Sequence, residues 1–385
     1  MNRRAFVRLA GGGVVLAAAP QLAGCSSDIP PDAIAAWQGP GDEPDVRKWI
    51  LGYAILGPHS HNLQSWLVDL KRPDEITLYC DLERLLPETD PFSRQIMMSQ
   101  GTFLELLAMA ARQRGQRADI ELFPEGEPDA KKLDRRPTAR IRLSADGTMR
   151  HDPLFAQILK RRTNREAYES KEVPKAAMDD ITASVASYPV KVGFVGAGEA
   201  DLIRKHRAIA AEAWRIELVT PRTILESYKV LRVGPGEISK YRDGLTLNKP
   251  FVRMLVGLGL FDRSKAPAPD DYAVTSQISE CSTTLASTPA FFWLVTEGND
   301  RKTQVDAGRA YVRTQLAATA HGLSMQPLSQ ALQEYPEQAG PYAQIHDLLG
   351  APAPRYTVQM WARLGYAPAI GPSPRRGVAE HILKA

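Results

Sequence analysis

Gly101-Thr102-Phe103-Leu104-Glu105-Leu106-Leu107-Ala108-Met109-Ala110-Ala111 decides how this 385-residue chain is organised, because a counterpart follows it. That counterpart is Gly308-Arg309-Ala310-Tyr311-Val312-Arg313-Thr314-Gln315-Leu316-Ala317-Ala318. The first stretch closes at Gly115 and the second at Gly322, so both glycine pairs span the same interval. Good helix formers fill both stretches, and each ends at a glycine suited to a left-handed C-terminal turn. In register, Met109-Ala110-Ala111 falls on Leu316-Ala317-Ala318. Each helix leads through an irregular segment to an alternating strand, Ala139-Arg140-Ile141-Arg142-Leu143 and Tyr356-Thr357-Val358-Gln359-Met360. Equal spacing with a similar successor predicts an internal duplication.

Other strands are expected at Glu75-Ile76-Thr77-Leu78-Tyr79-Cys80, around Val190 to Val195, and at Phe291-Phe292-Trp293-Leu294-Val295. The last is a continuous apolar run, as a central strand covered on both faces requires. Strands and helices interleave without regular β-α-β crossovers, which favours an α+β layer design. The expected halves are residues 46–150 and 151–385. Between a helix around 202–217 and the strand at Phe291 lies a long insertion, about 221–275, with an apolar helix-like stretch at Phe251-Val252-Arg253-Met254-Leu255-Val256. A connection of that length in a compact domain reads as a functional lid, and its apolar content argues against disorder.

Asn2-Arg3-Arg4-Ala5-Phe6-Val7-Arg8 is a twin-arginine motif before an apolar run, Leu9 to Gly24, without acidic residues. The run is shorter than the roughly 20 residues that span a bilayer, and Gly11-Gly12-Gly13 weakens a helix. Residues 1–24 therefore read as an export signal peptide. Leu22-Ala23-Gly24-Cys25 matches a lipobox, which predicts lipidation of Cys25 and a membrane-anchored periplasmic or cell-surface lipoprotein. Residues 25–45, rich in Pro, Gly and Asp, read as a tether.

Removing Arg3, Arg4 and Arg8 lowers the formal charge from +4 to +1, so the mature chain has no global electrostatic case for nucleic acid. Lys131-Lys132 and Arg135-Arg136 are expected to be solvated faces. Cys80 and Cys281 form neither a disulfide framework nor a zinc pattern, and are expected as two buried free thiols. His59 and His61 have an H-x-H spacing, but no further ligand stands at telling spacing, so no metal site is expected.

Two polar stretches carry the chemistry. Gly57-Pro58-His59-Ser60-His61-Asn62-Leu63-Gln64-Ser65-Trp66 is a turn-forming loop, and Arg161-Arg162-Thr163-Asn164-Arg165 is a cationic cluster with a hydroxyl. Arg161, Thr163 and Arg165 are expected to splay around the end of a helix that begins near Pro153. Guanidinium groups with a threonine hydroxyl suit a phosphate dianion, and Pro374-Arg375-Arg376 offers further charge. No Ser-His-Asp or paired-carboxylate constellation emerges, as expected where a cofactor carries the chemistry.

These residues resemble the FMN-dependent nitroreductase superfamily, and within it the Acg-like branch of fused two-half proteins, over nearly all of the mature chain. The family patterns are P-S-x-x-N-x-Q-P-W and R-x-S/T-x-R. The resemblance implies a nitroreductase-like fold whose two fused halves form an intramolecular pseudo-dimer, and hence a monomer. It implies FMN as cofactor, with Pro58, His59, Ser60, Asn62 and Gln64 beside the flavin. Arg161, Thr163 and Arg165 would serve its phosphate and pyrimidine sides, and Arg375 or Arg376 would add phosphate charge. Pro327, Ser329 and Gln330 match the P-x-x-G loop near the reactive flavin N5, and no catalytic side chain is implied. Three departures stand out: His59 for serine, Ser65 for proline and Gln330 for glycine. Each half carries only one of the two patterns, so one composite FMN site per chain is expected.

The function expected is an exported oxidoreductase that passes electrons from a reduced donor to a small electrophilic acceptor, a quinone or nitro compound. The donor is NAD(P)H, a quinol or a redox protein, and NAD(P)H has no general pool outside the cytoplasm. The alternatives are a lipoprotein that sequesters FMN beneath its lid, and a metal-dependent hydrolase using His59 and His61.

Overall fold

The computed structural model describes residues 28–384. The twin-arginine segment and Cys25 lie outside the described residues. The chain opens with α1 (Pro31–Ile34) and a 3-10 turn, then α2 (Val46–Ala54), capped by the Asp45 carboxylate accepting from Arg47 N at 2.9 Å. Strands β1 (Trp66–Asp69) and β2 (Glu75–Cys80) lead into α3 (Arg94–Gln113), followed by β3 (Gln116–Leu122) and β4 (Ala139–Ala145). These four strands form one antiparallel sheet in the order β1-β2-β4-β3.

The second half begins with α4 (Lys175–Ala183), β5 (Lys191–Val195) and α5 (Ala200–Val219). The insertion follows as α6 (Pro221–Lys229), β6 (Leu231–Val233), α7 (Gly234–Tyr241), β7 (Leu245–Leu247) and α8 (Pro250–Gly257). Then come α9 (Tyr272–Ala286), β8 (Ala290–Glu297), α10 (Arg301–Ala320), β9 (Ser324–Pro327), α11 (Ala339–Leu348) and β10 (Tyr356–Gly365). The second antiparallel sheet has the order β5-β8-β10-β9, with apolar β8 in its interior as its sequence requires. The molecule is thus α+β, two four-stranded sheets with the helices α3 and α10 between them.

The repeated glycines mark where those two helices cross. A Cβ on Gly101 would stand 2.0 Å from the Val305 carbonyl oxygen, and one on Gly308 would stand 1.8 Å from that of Met98. Two backbones can approach that closely only where neither residue has a side chain. Gly115 and Gly322 close the two helices at φ 61° and 68°. The apolar faces merge around the crossing: Val305, Val312 and Leu316 of α10 enter the same core as Trp66, Met97, Phe103 and Leu107.

Three expectations change. Part of the stretch read as a tether is packed, since Ala33 and Trp37 are buried. Composition concealed this because one tryptophan outweighs its proline-rich surroundings. The expected helix from Pro153 is a 3-10 turn, Pro153–Gln157, capped by Asp152, and Arg161 to Arg165 run on as irregular chain. Position 275, taken as the end of the insertion, lies inside α9.

Candidate functional site

The loop after α2 turns back over α3 in a conformation that side chains resist. His61, Asn62 and Gln64 have φ of 48°, 55° and 55°, and strain of this kind persists only where surrounding contacts enforce it. α3 supplies several: Ser60 N donates to Ser99 Oγ at 3.2 Å, Thr102 Oγ1 to the Pro58 carbonyl at 2.8 Å, and Gln100 Nε2 to the Ser65 carbonyl at 2.8 Å. Two departures from the family pattern turn out to be one unit. His59 Nε2 accepts from Ser65 Oγ at 2.7 Å and from Ser65 N at 3.0 Å, while its Nδ1 donates to the Ser60 carbonyl at 2.8 Å. Those partners assign the neutral tautomer with the proton on Nδ1. Burial lowers the His59 pKa to about 3, and the charges of Arg375 and Arg376 add to the effect.

The cationic cluster gathers around one indole. The guanidinium carbons of Arg161, Arg162 and Arg375 lie 5.4, 4.4 and 5.5 Å from the Trp37 ring centre. Their partners are neutral. Arg161 donates to Gln315 Oε1 and the Leu56 carbonyl, each at 3.2 Å; Arg162 donates to the Leu159 and Arg161 carbonyls, each at 2.8 Å. Arg375 donates to the Gly57 carbonyl at 3.0 Å. Among the described residues none of the three forms an ion pair with a carboxylate, and the Nε of each is buried without a hydrogen bond. Burial lowers Arg161 to about 10 and lowers Arg162; it takes Arg375 well below the arginine range, where the charges of Arg161 and Arg162 add to it. Arg161 and Arg375 are buried and Arg162 half-buried, so mutually repelling cations without a counter-charge stand in a setting that an anion would stabilise.

The C-terminal arm joins loop and cluster. Asn62 Nδ2 donates to the Pro374 carbonyl at 3.1 Å, and Arg376 N donates to Gln64 Oε1 at 2.9 Å, while the Arg376 side chain bonds the Gln64 carbonyl. Arg165 is exposed, although desolvation by surrounding protein lowers its guanidinium pKa. His61 lies within reach of its charge: burial and then the charge of Arg165 lower the His61 pKa to about 4. Thr163 bridges Met325 of β9, the strand that ends at Pro327. Beyond it, Ser329 and Gln330 lie in a 3-10 turn, after which Gln333 Nε2 donates to the buried Glu217 carboxylate of α5 at 2.8 Å. Burial raises that carboxylate to about 7.

The insertion closes over the loop. Gly244 N donates to the Asn62 carbonyl at 3.1 Å, and Gln64 Nε2 donates to the Arg242 carbonyl at 2.9 Å. Buried Asp243 pairs with Arg84 and, at 2.8 Å, with Arg232. His61 Nε2 lies 3.4 Å from Ser227 Oγ of α6, whereas His59 turns to Ser65, so the H-x-H pair does not converge. Among the described residues no group of three His, Cys, Asp or Glu side chains could hold a metal ion. Cys80 is buried and Cys281 half-buried, both free.

Sequence reasoning missed Trp37, Gln315 and Glu217, and gave Arg162 no role within the cationic cluster. Gln315 left a signal, a polar side chain among the apolar and small residues of a buried helix; Trp37 left another, an aromatic in a polar stretch.

The nitroreductase family profile matches residues 158–366, more than half of the chain. The chain belongs to the nitroreductase family. Two Mycobacterium tuberculosis proteins named as NAD(P)H nitroreductases, Rv3131 and MT3217, are each 26% identical over 88% of this chain and 92% of theirs. The Bacteroides fragilis nitroreductase with bound FMN is 15% identical and covers 59% of this chain and 96% of its own, with a TM-score of 0.35. The FMN-dependent nitroreductase NfnB of Mycobacterium smegmatis, solved with NADPH, is 20% identical and covers 60% and 96%, also at 0.35. Scores this low decide nothing by themselves. For this nitroreductase-family chain, the arginine cluster and the strained loop are the features to explain.

Proposed function

We propose that this chain is an FMN-dependent oxidoreductase with a single composite flavin site, built from the Pro58–Ser65 loop of one half and the arginines of the other. The observation that carries the reading is the cluster of buried Arg161 and Arg375 with half-buried Arg162, without a carboxylate and with unbonded Nε atoms. A phosphate dianion supplies the missing charge, and the unbonded Asn62 Oδ1 leaves an acceptor for a ribityl hydroxyl. Bound FMN would supply the electron-transfer chemistry. The chain binds and orients it: Arg161 and Arg375 hold the phosphate, Arg165 stabilises negative charge on the pyrimidine side, and Gln64 fixes the loop to the C-terminal arm. His61, neutral at pH 7, offers a hydrogen bond without a charge. NAD(P)H is the donor suggested by the relatives' names, and a small electrophile such as a quinone or nitro compound is the acceptor.

The two halves form a fused pseudo-dimer in which the second site is lost. Across the glycine register, Gln95, Ser99 and Thr102 of α3 correspond to Lys302, Asp306 and Arg309 of α10. The neutral set contacts the flavin loop. The charged set lines a cavity of about 500 Å³ together with Glu127 and Phe123. There Lys302 pairs with Asp306 at 2.6 Å and Arg309 with Glu105 at 3.0 Å, so its cations already have counter-charges. Export by the twin-arginine route and anchoring through Cys25 complete the proposal, with a quinol or a redox protein as donor in that compartment.

Binding of FMN and riboflavin to Arg375→Met tests the anion site. The variant is expected to bind FMN about tenfold to a hundredfold more weakly, to bind riboflavin unchanged, and to be more stable without flavin, since a repelling buried charge is gone. Equal weakening of both ligands would count against a phosphate role. The lid contacts on Asn62 and Gln64 favour a second reading, sequestration without turnover. It is distinguished by whether reductant and acceptor cycle the bound flavin faster than free FMN.

A further inference from the structure

We propose that α8 of the lid is a membrane-docking surface whose exposed apolar face lies in the headgroup region of the bilayer that holds Cys25. Five of the six large hydrophobic side chains exposed among the described residues, Tyr241, Phe251, Met254, Leu258 and Tyr272, belong to this one region. α8 buries none of its residues, although Phe251, Val252, Met254, Leu255 and Val256 make it strongly apolar. Phe251, Met254 and Leu258 recur at the spacing of one helical face, with Arg253 and Lys249, the latter paired with Glu280 at 3.2 Å, beside them. A short amphipathic helix with flanking cations lies in a membrane interface with its apolar face about 5–10 Å deep.

The chain path favours lipid over another protein. Asp28, the first described residue, accepts from Asn248 Nδ2 at 2.7 Å, two residues before α8 begins. Asp32 of α1 accepts from Ser239 Oγ of α7 at 3.0 Å. Only Ser26 and Ser27 separate Cys25 from Asp28, so an acyl group on Cys25 enters the bilayer within about 10 Å of Asp28. A lipid anchor there brings α8 to the membrane surface. The face of an eight-residue helix, about 12 Å long and about 10 Å wide, is also far smaller than the roughly 800 Å² per partner of a stable dimer interface. The same lid segment carries Arg242 and Gly244, which bond the flavin loop, so an acceptor dissolved in the bilayer meets the closed face of the site directly. The inference rests on acylation of Cys25 and, for its link to turnover, on the flavin reading.

The test uses the full lipidated chain in vesicles of phosphatidylethanolamine and phosphatidylglycerol, in a Cys281→Ser background. A nitroxide is placed at Met254→Cys or, as control, at exposed Glu212→Cys on α5. The label at 254 is expected to lose collisions with a water-soluble nickel chelate and to gain them with oxygen, while the label at 212 does neither. Equal nickel exposure at both positions overturns the proposal. So does dipolar broadening between labels at 254, which would mean that a second copy covers the face. Flavin content of the same samples reports the cofactor reading separately: a flavin-free chain whose label at 254 is shielded removes that reading and leaves docking intact.

Discussion

At the residue scale the proposed site rests on three arginines around Trp37 and one histidine bonded to one serine. Arg161 and Arg165 were legible as candidates because R-x-T-x-R is a local pattern. Trp37 was not, and Arg162 gains a role only once Trp37 lies beneath it. His59 and Ser65 were legible as departures but not as partners, because their hydrogen bond depends on how the loop turns. Proline at 65 would remove the N–H that His59 Nε2 receives. His59→Ala and Ser65→Ala are each expected to destabilise by about 1 kcal/mol, with a coupling of similar size in the double variant. Urea unfolding of the four proteins measures it, and additive losses would mean that the pair is not a unit.

At the element scale the glycine register did more than mark a repeat. Gly101 and Gly308 let α3 and α10 touch backbone to backbone, and neither carbonyl that meets them can swing aside. Gly101→Ala is therefore expected to cost about 3 kcal/mol or to prevent folding, whereas Gly340→Ala, in open space on α11, should be neutral or slightly stabilising. Chemical denaturation of the two variants side by side checks the contrast. The long helices and the apolar strands β2, β5, β8 and β10 were readable from periodicity. β3 was legible but passed over: Arg117, Asp119 and Glu121 alternate with Ala118, Ile120 and Leu122, on an edge strand where charge protects an open ladder. β9 was hidden by its brevity and by Pro327.

For the whole molecule, buried titratable groups set the response to acid. Burial lowers His59 and His381 to about 3 and His61 and His206 to about 4, against an ordinary value of 6.5. It raises Glu217 to about 7 and Asp90 to about 6. Near pH 5 the unfolded chain has protonated all four histidines, while the flavin-free folded chain keeps them neutral and holds protons on the two acids. Unfolding then takes up about two protons, so stability falls as pH drops from about 6.5 towards 4. Unfolding free energies at pH 7 and pH 5 check this; higher stability at pH 5 would contradict it.

The same scale carries the main claim, that two fused halves share one flavin site because the pseudo-symmetric counterpart has charged and self-paired walls. The most direct measurement is the absorption spectrum of the purified chain, with released FMN quantified per polypeptide before and after saturation with added FMN. One FMN per chain is the expected result. Two per chain would contradict the loss of the second site, and a colourless protein that refuses added FMN would contradict the composite site itself.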